Sequence, residues 1–317
     1  MCSMTDVCEA EAQSKLTVAS LFAGCGGSSL GYRLAGFRVA YANEFDARVA
    51  RVYDLNKSPG TVLDVSDVRD LTGAVLLERA GVMPDVLDGS APCSDWSLMG
   101  NRELDGPRAT LYGEFVRVVG ELRPRAFVAE NVLGIVMGDA KPRFAALLAE
   151  LRGHGYRVAA SYLDASRYDV PQKRERVVVI GFRDDLGLDP AAAFPSPGPV
   201  CVMRDVGISA LVVEEIGRSL TRYGYLHDHI WDGAAPAPTI TTRGPGPLSW
   251  SVVRVKTPSV QRKATPDDVR RLCGFPEGFD LGDAAFATAA LVYGNAVPPG
   301  MSAAWATGVH DQLRTRV

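Results

Sequence analysis

The 317-residue sequence has no apolar run near the roughly 18 residues that a membrane-spanning helix needs. It has no C-x-x-C pair among its six cysteines, Cys2, Cys8, Cys25, Cys93, Cys201 and Cys273. Neither a disulfide framework nor a structural metal site is therefore expected. It also lacks an excess of positive charge, with 34 Lys and Arg against 37 Asp and Glu, a net charge of -3. That excludes a protein that coats polyanions by bulk charge and leaves room for a local basic face. The first residues, MCSMTDVCEAEAQSK, carry acids and no apolar segment of the kind an export signal needs, so a cytoplasmic location is expected. No internal repeat is present.

What is there is a globular composition, 47% hydrophobic and 22% charged. The charge is uneven: residues 1–100 hold 13 acids and 8 bases, and residues 101–317 hold 24 acids and 26 bases. A polyanion is therefore expected to meet the later part of the chain. Strand-length apolar runs occur at Thr17–Ala23, Phe37–Ala42, Val86–Asp88, Ala126–Ala129, Tyr156–Leu163 and Arg176–Phe182. Helical periodicity fills the intervals, most clearly at Leu111–Leu122 and Arg143–Leu151. This alternation predicts an α/β fold with a doubly wound, mostly parallel sheet. After Phe182 the rhythm is lost and Pro and Gly accumulate, predicting a smaller, irregular, β-containing domain. Helical patterning returns at Pro266–Cys273 and Pro298–Leu313. The domains expected are 1–188 with 286–317, and 189–285.

The first predicted strand runs into Phe22-Ala23-Gly24-Cys25-Gly26-Gly27-Ser28-Ser29-Leu30-Gly31. Glycines between a strand and a helix let the backbone turn tightly and approach a ligand closely. The dinucleotide pattern G-x-G-x-x-G would need glycine at Ser29, and no Lys-Ser/Thr pair marks a P-loop. Glu44 ends the second strand, where a carboxylate can hold a ribose diol, and Asp64 follows at the third, placed for an adenine edge. Together these point to an adenosine cofactor without phosphate, such as S-adenosylmethionine. A tight packing turn with solvated acids is the alternative.

Val86-Leu87-Asp88-Gly89-Ser90-Ala91-Pro92-Cys93-Ser94 places a thiol just past a buried strand, at the edge where open α/β sheets bind ligands. A positioned, accessible cysteine there reads as a nucleophile; an inert buried cysteine is the alternative. The next strand ends in Ala129-Glu130-Asn131-Val132, so a glutamate in an apolar pocket faces that thiol as a proton donor, or else caps the following helix. Gln172-Lys173-Arg174-Glu175-Arg176 opens another strand, and alternation puts Gln172, Arg174 and Arg176 on one face as an anion-binding fork or a solvated surface.

These segments resemble the DNA (cytosine-5) methyltransferases of bacteria and phages. Phe22-Ala23-Gly24-Cys25-Gly26-Gly27 is similar to the family's cofactor loop, Pro92-Cys93 to its catalytic Pro-Cys, and Glu130-Asn131-Val132 to its Glu-Asn-Val. Gln172-x-Arg174-x-Arg176 is similar to its Gln-x-Arg-x-Arg. Arg271-Leu272-Cys273-Gly274-Phe275-Pro276 and Gly294-Asn295-Ala296-Val297-Pro298-Pro299 match its late motifs, and Pro238-Thr239-Ile240-Thr241 closes its recognition region. The motifs follow family order across residues 18 to 310.

The resemblance implies a Rossmann-like S-adenosylmethionine-binding domain and a short target-recognition domain. It implies that Cys93 adds to carbon 6 of a flipped-out cytosine, with Glu130 at the base and Arg174 and Arg176 beside them. It implies cofactor contacts from Phe22, Ala23, Gly24, Gly26, Gly27, Glu44, Phe45, Asp64, Val65, Pro92, Asn295 and Ala296. DNA contacts are expected from Ser94, Gln172, Arg204, Arg222 and Arg243. The partner implied is duplex DNA, met by a monomer without metal, in a restriction–modification, phage or orphan setting. Two departures stand out: Ser20 replaces the family's usual Asp, and Ala91-Pro92-Cys93-Ser94 replaces Pro-Pro-Cys-Gln. The region between Arg176 and Arg262 is short, which suits a short or loosely read site. A transfer RNA methyltransferase of the same family and a non-catalytic DNA- or partner-binding scaffold are the competing readings.

Overall fold

Thr17-Val-Ala-Ser-Leu21 is buried along its whole length, as a parallel strand covered on both faces must be, and forms β1 (Thr17–Leu21). The computed structural model describes residues 14–92, 111–213, 229–242, 253–283 and 286–315. From β1 the chain winds outward through α1 (Gly27–Leu34), β2 (Arg38–Asn43), α2 (Ala47–Asn56) and β3 (Val62–Asp64). It then crosses back through α3 (Gly73–Ala80) to β4 (Val86–Gly89), on the other side of β1. There follow α4 (Leu111–Leu122), β5 (Ala126–Val132), α5 (Ala140–Gly153), β6 (Tyr156–Asp164) and β7 (Glu175–Arg183). The strand order is β3-β2-β1-β4-β5-β7-β6, so the winding reverses between β1 and β4.

The pairs β1–β2, β2–β3, β1–β4 and β4–β5 are parallel, but β5–β7 is antiparallel. β1 stops at Leu21, two residues short of the apolar run, because Phe22, Gly24 and Gly26 take positive φ angles of 54°, 58° and 94°. Such angles cannot continue a strand. α4 has the bounds its periodicity predicts, and its apolar stripe, including Tyr112, Phe115, Val116, Val119 and Leu122, packs into the sheet's main core.

The chain divides into two compact units. The larger contains the sheet, with the chain up to Leu163, Glu175–Ser196 and the stretch from Ser302. The smaller takes Asp164–Arg174 and Pro197–Met301. This division differs from boundaries at 188 and 286, because Gln172 and Arg174 bond to Ile240, Leu272 and Gly294 rather than to the seven-stranded sheet. The smaller unit has an antiparallel sheet of β8 (Ala210–Val213), β9 (His229–Asp232), β10 (Val253–Lys256) and β11 (Gln261–Lys263), in the order β11-β10-β8-β9. α6 (Pro266–Leu272) starts on a Thr265–Asp268 capping box, and Phe275, Phe279 and Tyr293 of α7 (Phe286–Asn295) form an aromatic cluster.

The last helix, α8 (Pro299–Arg314), packs against α1 through a close approach at Gly31. A Cβ there would lie 1.9 Å from the Ser302 hydroxyl and 2.6 Å from the Ala303 amide nitrogen, and the second of these is backbone. Gly31→Ala should therefore destabilise the chain by about 1–3 kcal/mol, as overpacking does. Urea unfolding of the variant checks this; an unchanged midpoint would show that α1 and α8 do not meet so closely.

Candidate active site

In a doubly wound sheet the ligand crevice opens where the winding reverses, outside the carboxyl ends of the strands. Here that point lies between β1 and β4, where the glycine loop and the segment up to Pro92 both emerge. Cys93 and Ser94 themselves lie outside the described residues, as do Arg222 and Arg243.

The loop after β1 is held by its neighbour strand. The Ala23 amide donates to the Asn43 carbonyl at 2.9 Å. Glu44, just past β2, accepts from the Gly24 amide at 2.9 Å through Oε2 and from the Asp46 amide at 2.8 Å through Oε1. Burial pushes the Glu44 carboxyl up, and these two amides oppose that rise. Gly24 has φ +58° and, among the described residues, nothing within 4 Å of where a Cβ would stand, so the loop presents bare backbone. Phe45 and Val65 follow the ends of the paired strands β2 and β3 and are 67% and 55% exposed, which leaves two apolar side chains to flank a flat ring. Gly26 caps α1 without a side-chain bond, and Gly27 and Ala23 are buried in the turn.

Asp64 is more engaged than its sequence position indicates. Its carboxylate accepts from the Tyr41 hydroxyl, from Arg79 and from the Ser66 amide. Burial pushes it up, but these donors outweigh burial and hold it below the usual carboxylate range. Arg79, on α3, is a partner that the sequence reading missed; its position gives no signal in a one-dimensional pattern. Taken together the donor set fits an adenosine cofactor: a carboxylate just past β2 for hydroxyls, apolar flanks, open backbone and, among the described residues, no phosphate cradle.

On the far side of β4, β5 carries Glu130, which is 7% exposed. Arg176 Nε lies 2.8 Å from Glu130 Oε1, a close ion pair without the straight N–H···O alignment of a full hydrogen bond. The pocket around Glu130 is thus not purely apolar, as the sequence implied; it contains a guanidinium. Asn131, which the sequence reading left without a role, donates from Nδ2 to the Ala91 carbonyl at 3.3 Å, while its Oδ1 accepts from the Val132 amide. This ties the end of β5 to the segment leading into Cys93. Pro92 is exposed at the end of that segment.

The expected fork of Gln172, Arg174 and Arg176 does not form. β7 begins at Glu175, so alternation does not extend back through the two earlier residues. Gln172 is 0% exposed; its Nε2 donates to the Leu272 carbonyl and its Oε1 accepts from the Ile240 amide. It braces the smaller unit and has no surface to offer DNA. Arg174 is also buried there, donating to the carbonyls of Ile240 and Gly294, which joins the Thr239-Ile240-Thr241 segment to the end of α7. Asn295 is exposed at that end and Ala296 is buried beside it. Arg204 is exposed, 3.4 Å from Asp232.

A model of the C-5 cytosine-specific DNA methylase family matches residues 16–206. The chain belongs to that family. Among curated proteins it is 36% identical to Type II methyltransferase M.AquIA of Picosynechococcus sp. over 225 residues, 67% of this chain and 86% of that protein. It is 32% identical to M.FnuDI of Fusobacterium nucleatum over 214 residues, 67% of this chain and 54% of that one. It is 38% identical to M.XorII of Xanthomonas oryzae over 182 residues, 56% and 42% of the two chains. The chain thus spans about half the length of the last two. Among solved structures, a prophage-encoded DNA modification methyltransferase of Escherichia coli superposes with a TM-score of 0.73 at 23% identity, covering 95% of this chain and all of that one. The Dnmt2 methyltransferase of S. pombe gives 0.67 at 16%, covering 95% and 99%. These likenesses establish the fold, an α/β methyltransferase sheet.

Beneath the glycine loop lies a group to which the sequence pattern assigns no role. Asp88, in β4, is 1% exposed, and its Oδ2 accepts from Ser20 Oγ at 3.0 Å and Ser28 Oγ at 2.7 Å. Burial pushes its pKa up to about 7, more than the serine bonds pull it down, and Glu130's charge adds to the rise. An acid near 3.9 when unfolded and near 7 when folded binds more protons in the native state between those values. Its contribution to stability is therefore complete below about pH 4 and is lost as pH rises toward 7. Asp88→Asn removes that titration, so the wild type should lose stability relative to the variant across this window. Chemical denaturation of both at pH 4, 5.5 and 7 checks it; a constant difference would show that Asp88 does not titrate there.

Proposed function

We propose that the chain is an S-adenosylmethionine-dependent DNA (cytosine-5) methyltransferase acting on duplex DNA. What most supports this reading is the constellation at the carboxyl edge of the sheet. Glu130 and Arg176 are paired there, and Asn131 fastens the strand that carries Glu130 to Ala91, two residues before Cys93. The glycine loop with Glu44 stands at the same edge.

Carbon 5 of cytosine is a poor nucleophile. Addition of the Cys93 thiolate to carbon 6 moves an electron pair toward carbon 5 and makes an enamine that can be alkylated. Glu130 hydrogen-bonds ring N3 and the exocyclic amine, drawing electrons from the ring as the thiolate adds. Arg176 holds the Glu130 carboxylate in place and meets the base. When bound, S-adenosylmethionine would supply the electrophilic methyl group, with S-adenosylhomocysteine as its product. Loss of the carbon 5 proton to a base then restores the double bond and expels the thiolate. Carbon 6 is hidden in the base stack, so the cytosine must leave the duplex before the thiol can reach it.

Glu44 would hold the ribose hydroxyls, with Phe22, Phe45 and Val65 against the adenine and Asp64 at its edge. Gly24, Gly26, Gly27, Ala23, Pro92, Asn295 and Ala296 would complete the cofactor contacts. Arg204, Arg222, Arg243 and Ser94 are the proposed DNA contacts. The enzyme works as a monomer in a bacterial or phage-infected cytoplasm, within a restriction–modification system or as an orphan.

Tritiated cofactor offered with duplex DNA and with transfer RNA should label the DNA; label in RNA alone would overturn the substrate assignment. Cys93→Ser should abolish transfer while leaving the fold intact, and Glu130→Gln should lower kcat by about 10²–10⁴, the usual worth of a positioned acid–base group. Duplex containing 5-fluorocytosine should trap a covalent adduct on the wild type, because fluorine at carbon 5 cannot leave as a proton does. Absence of an adduct across varied sequences would favour a scaffold without catalysis.

A further inference from the structure

Ser20 is the penultimate residue of β1 and pairs with Asp88 across the parallel ladder. Ser28 lies in the first turn of α1. The whole glycine loop, Phe22 to Gly27, stands between these two serines, and both of their hydroxyls end on one carboxyl oxygen. The strand bearing that carboxyl continues through Gly89, Ser90, Ala91 and Pro92 to Cys93.

We propose that Asp88 is a positioning residue that clamps both stems of the glycine loop and fixes them to the strand delivering the nucleophile, so that cofactor and thiol are held in one register. This rests on the cofactor reading above.

Three observations carry the proposal. The first is that a carboxyl at this depth is not needed for packing: Val18, Val86 and Val128, on its own face of the sheet, are fully buried apolar residues. The second is that the arrangement is costly. Asp88 is a carboxylic acid at 1% exposure inside the sheet, with the fully buried Tyr32 hydroxyl and Trp305 indole as its further polar neighbours. Burying a carboxyl costs free energy that its hydrogen bonds only partly return, and its retention marks a constraint other than stability. The third is that the loop lacks stiffness of its own. Gly24 and Gly26 hold left-handed backbone, and Phe22 does so with a side chain. Such a segment keeps one shape only when its surroundings determine it.

The test is binding of S-adenosylhomocysteine to the full chain by calorimetry, with thermal melting and KM for DNA measured on the same samples. Asp88→Ala removes the acceptor and should weaken binding by about tenfold or more, the scale of two lost hydrogen bonds. Asp88→Asn keeps an acceptor oxygen and should bind within about threefold of wild type, since the serine bonds survive. Ser28→Ala should weaken binding by about threefold or more and add little on top of Asp88→Ala, because both delete the same bond. KM for DNA should not move. If Asp88→Ala does not fold, Ser28→Ala, a smaller change, decides the matter. Variants that melt earlier yet bind the ligand as wild type does would overturn the clamp and leave the cofactor reading standing. A wild-type chain that binds no ligand would overturn that reading and the clamp with it.

Discussion

The in-register parallel pairing of β1, β4 and β5 is the constraint on which the rest of the structure depends. Leu21, Gly89 and Ala129 lie on one rung of the ladder. β1 and β4 end on that rung while β5 runs on to Val132, so the glycine loop and the chain after Gly89 leave the sheet at one line, and Glu130 stands one residue beyond it. Parallel strands need long crossovers between them, and those crossovers are the helices that bury both faces of the sheet. A shift of one residue in either of the two pairings would turn every side chain of the shifted strand to the opposite face. The placement of these residues is thus set by register before any individual contact is made.

The second constraint is a reversal. β7 runs against β5, with Glu130 opposite Val178 and Val132 opposite Arg176. Glu130 and Arg176 are therefore diagonal neighbours on one face, within reach of long side chains. Had β7 run parallel to β5, the start of that strand would lie at the opposite edge of the sheet, far from the crevice. The antiparallel pairing is what brings an arginine from the beginning of a strand to the end of another.

Much of this was legible in the sequence. The central strands announced themselves because doubly buried strands must be apolar throughout, and α4 because its stripe is complete. The loss of βα rhythm after Phe182 marked the smaller unit, although its strands, at three or four residues, are too short for periodicity to reveal. Other features were not legible for physical reasons. A period of two is the same whichever way a strand runs, so the direction of β7 was hidden. The same period was carried back past Glu175, where there is no strand, and so Gln172 and Arg174 were placed beside Arg176 instead of in the core of the smaller unit. Asp88 looked like a punctuation mark in an apolar run; its partners, 60 and 68 positions away, come together only through the fold. The departure at Ser20 takes a different meaning in the structure, because the hydroxyl there bonds a carboxyl supplied by the neighbouring strand.

Bisulfite sequencing of DNA from a bacterial host expressing the chain tests the central claim most directly, because it asks whether this sheet edge modifies carbon 5 of cytosine in duplex DNA inside a cell. The account predicts protected cytosines recurring in one short sequence context with the wild-type chain, and their disappearance when Glu130 is replaced by glutamine. Complete conversion of host cytosines with a folded, expressed wild-type chain would contradict it.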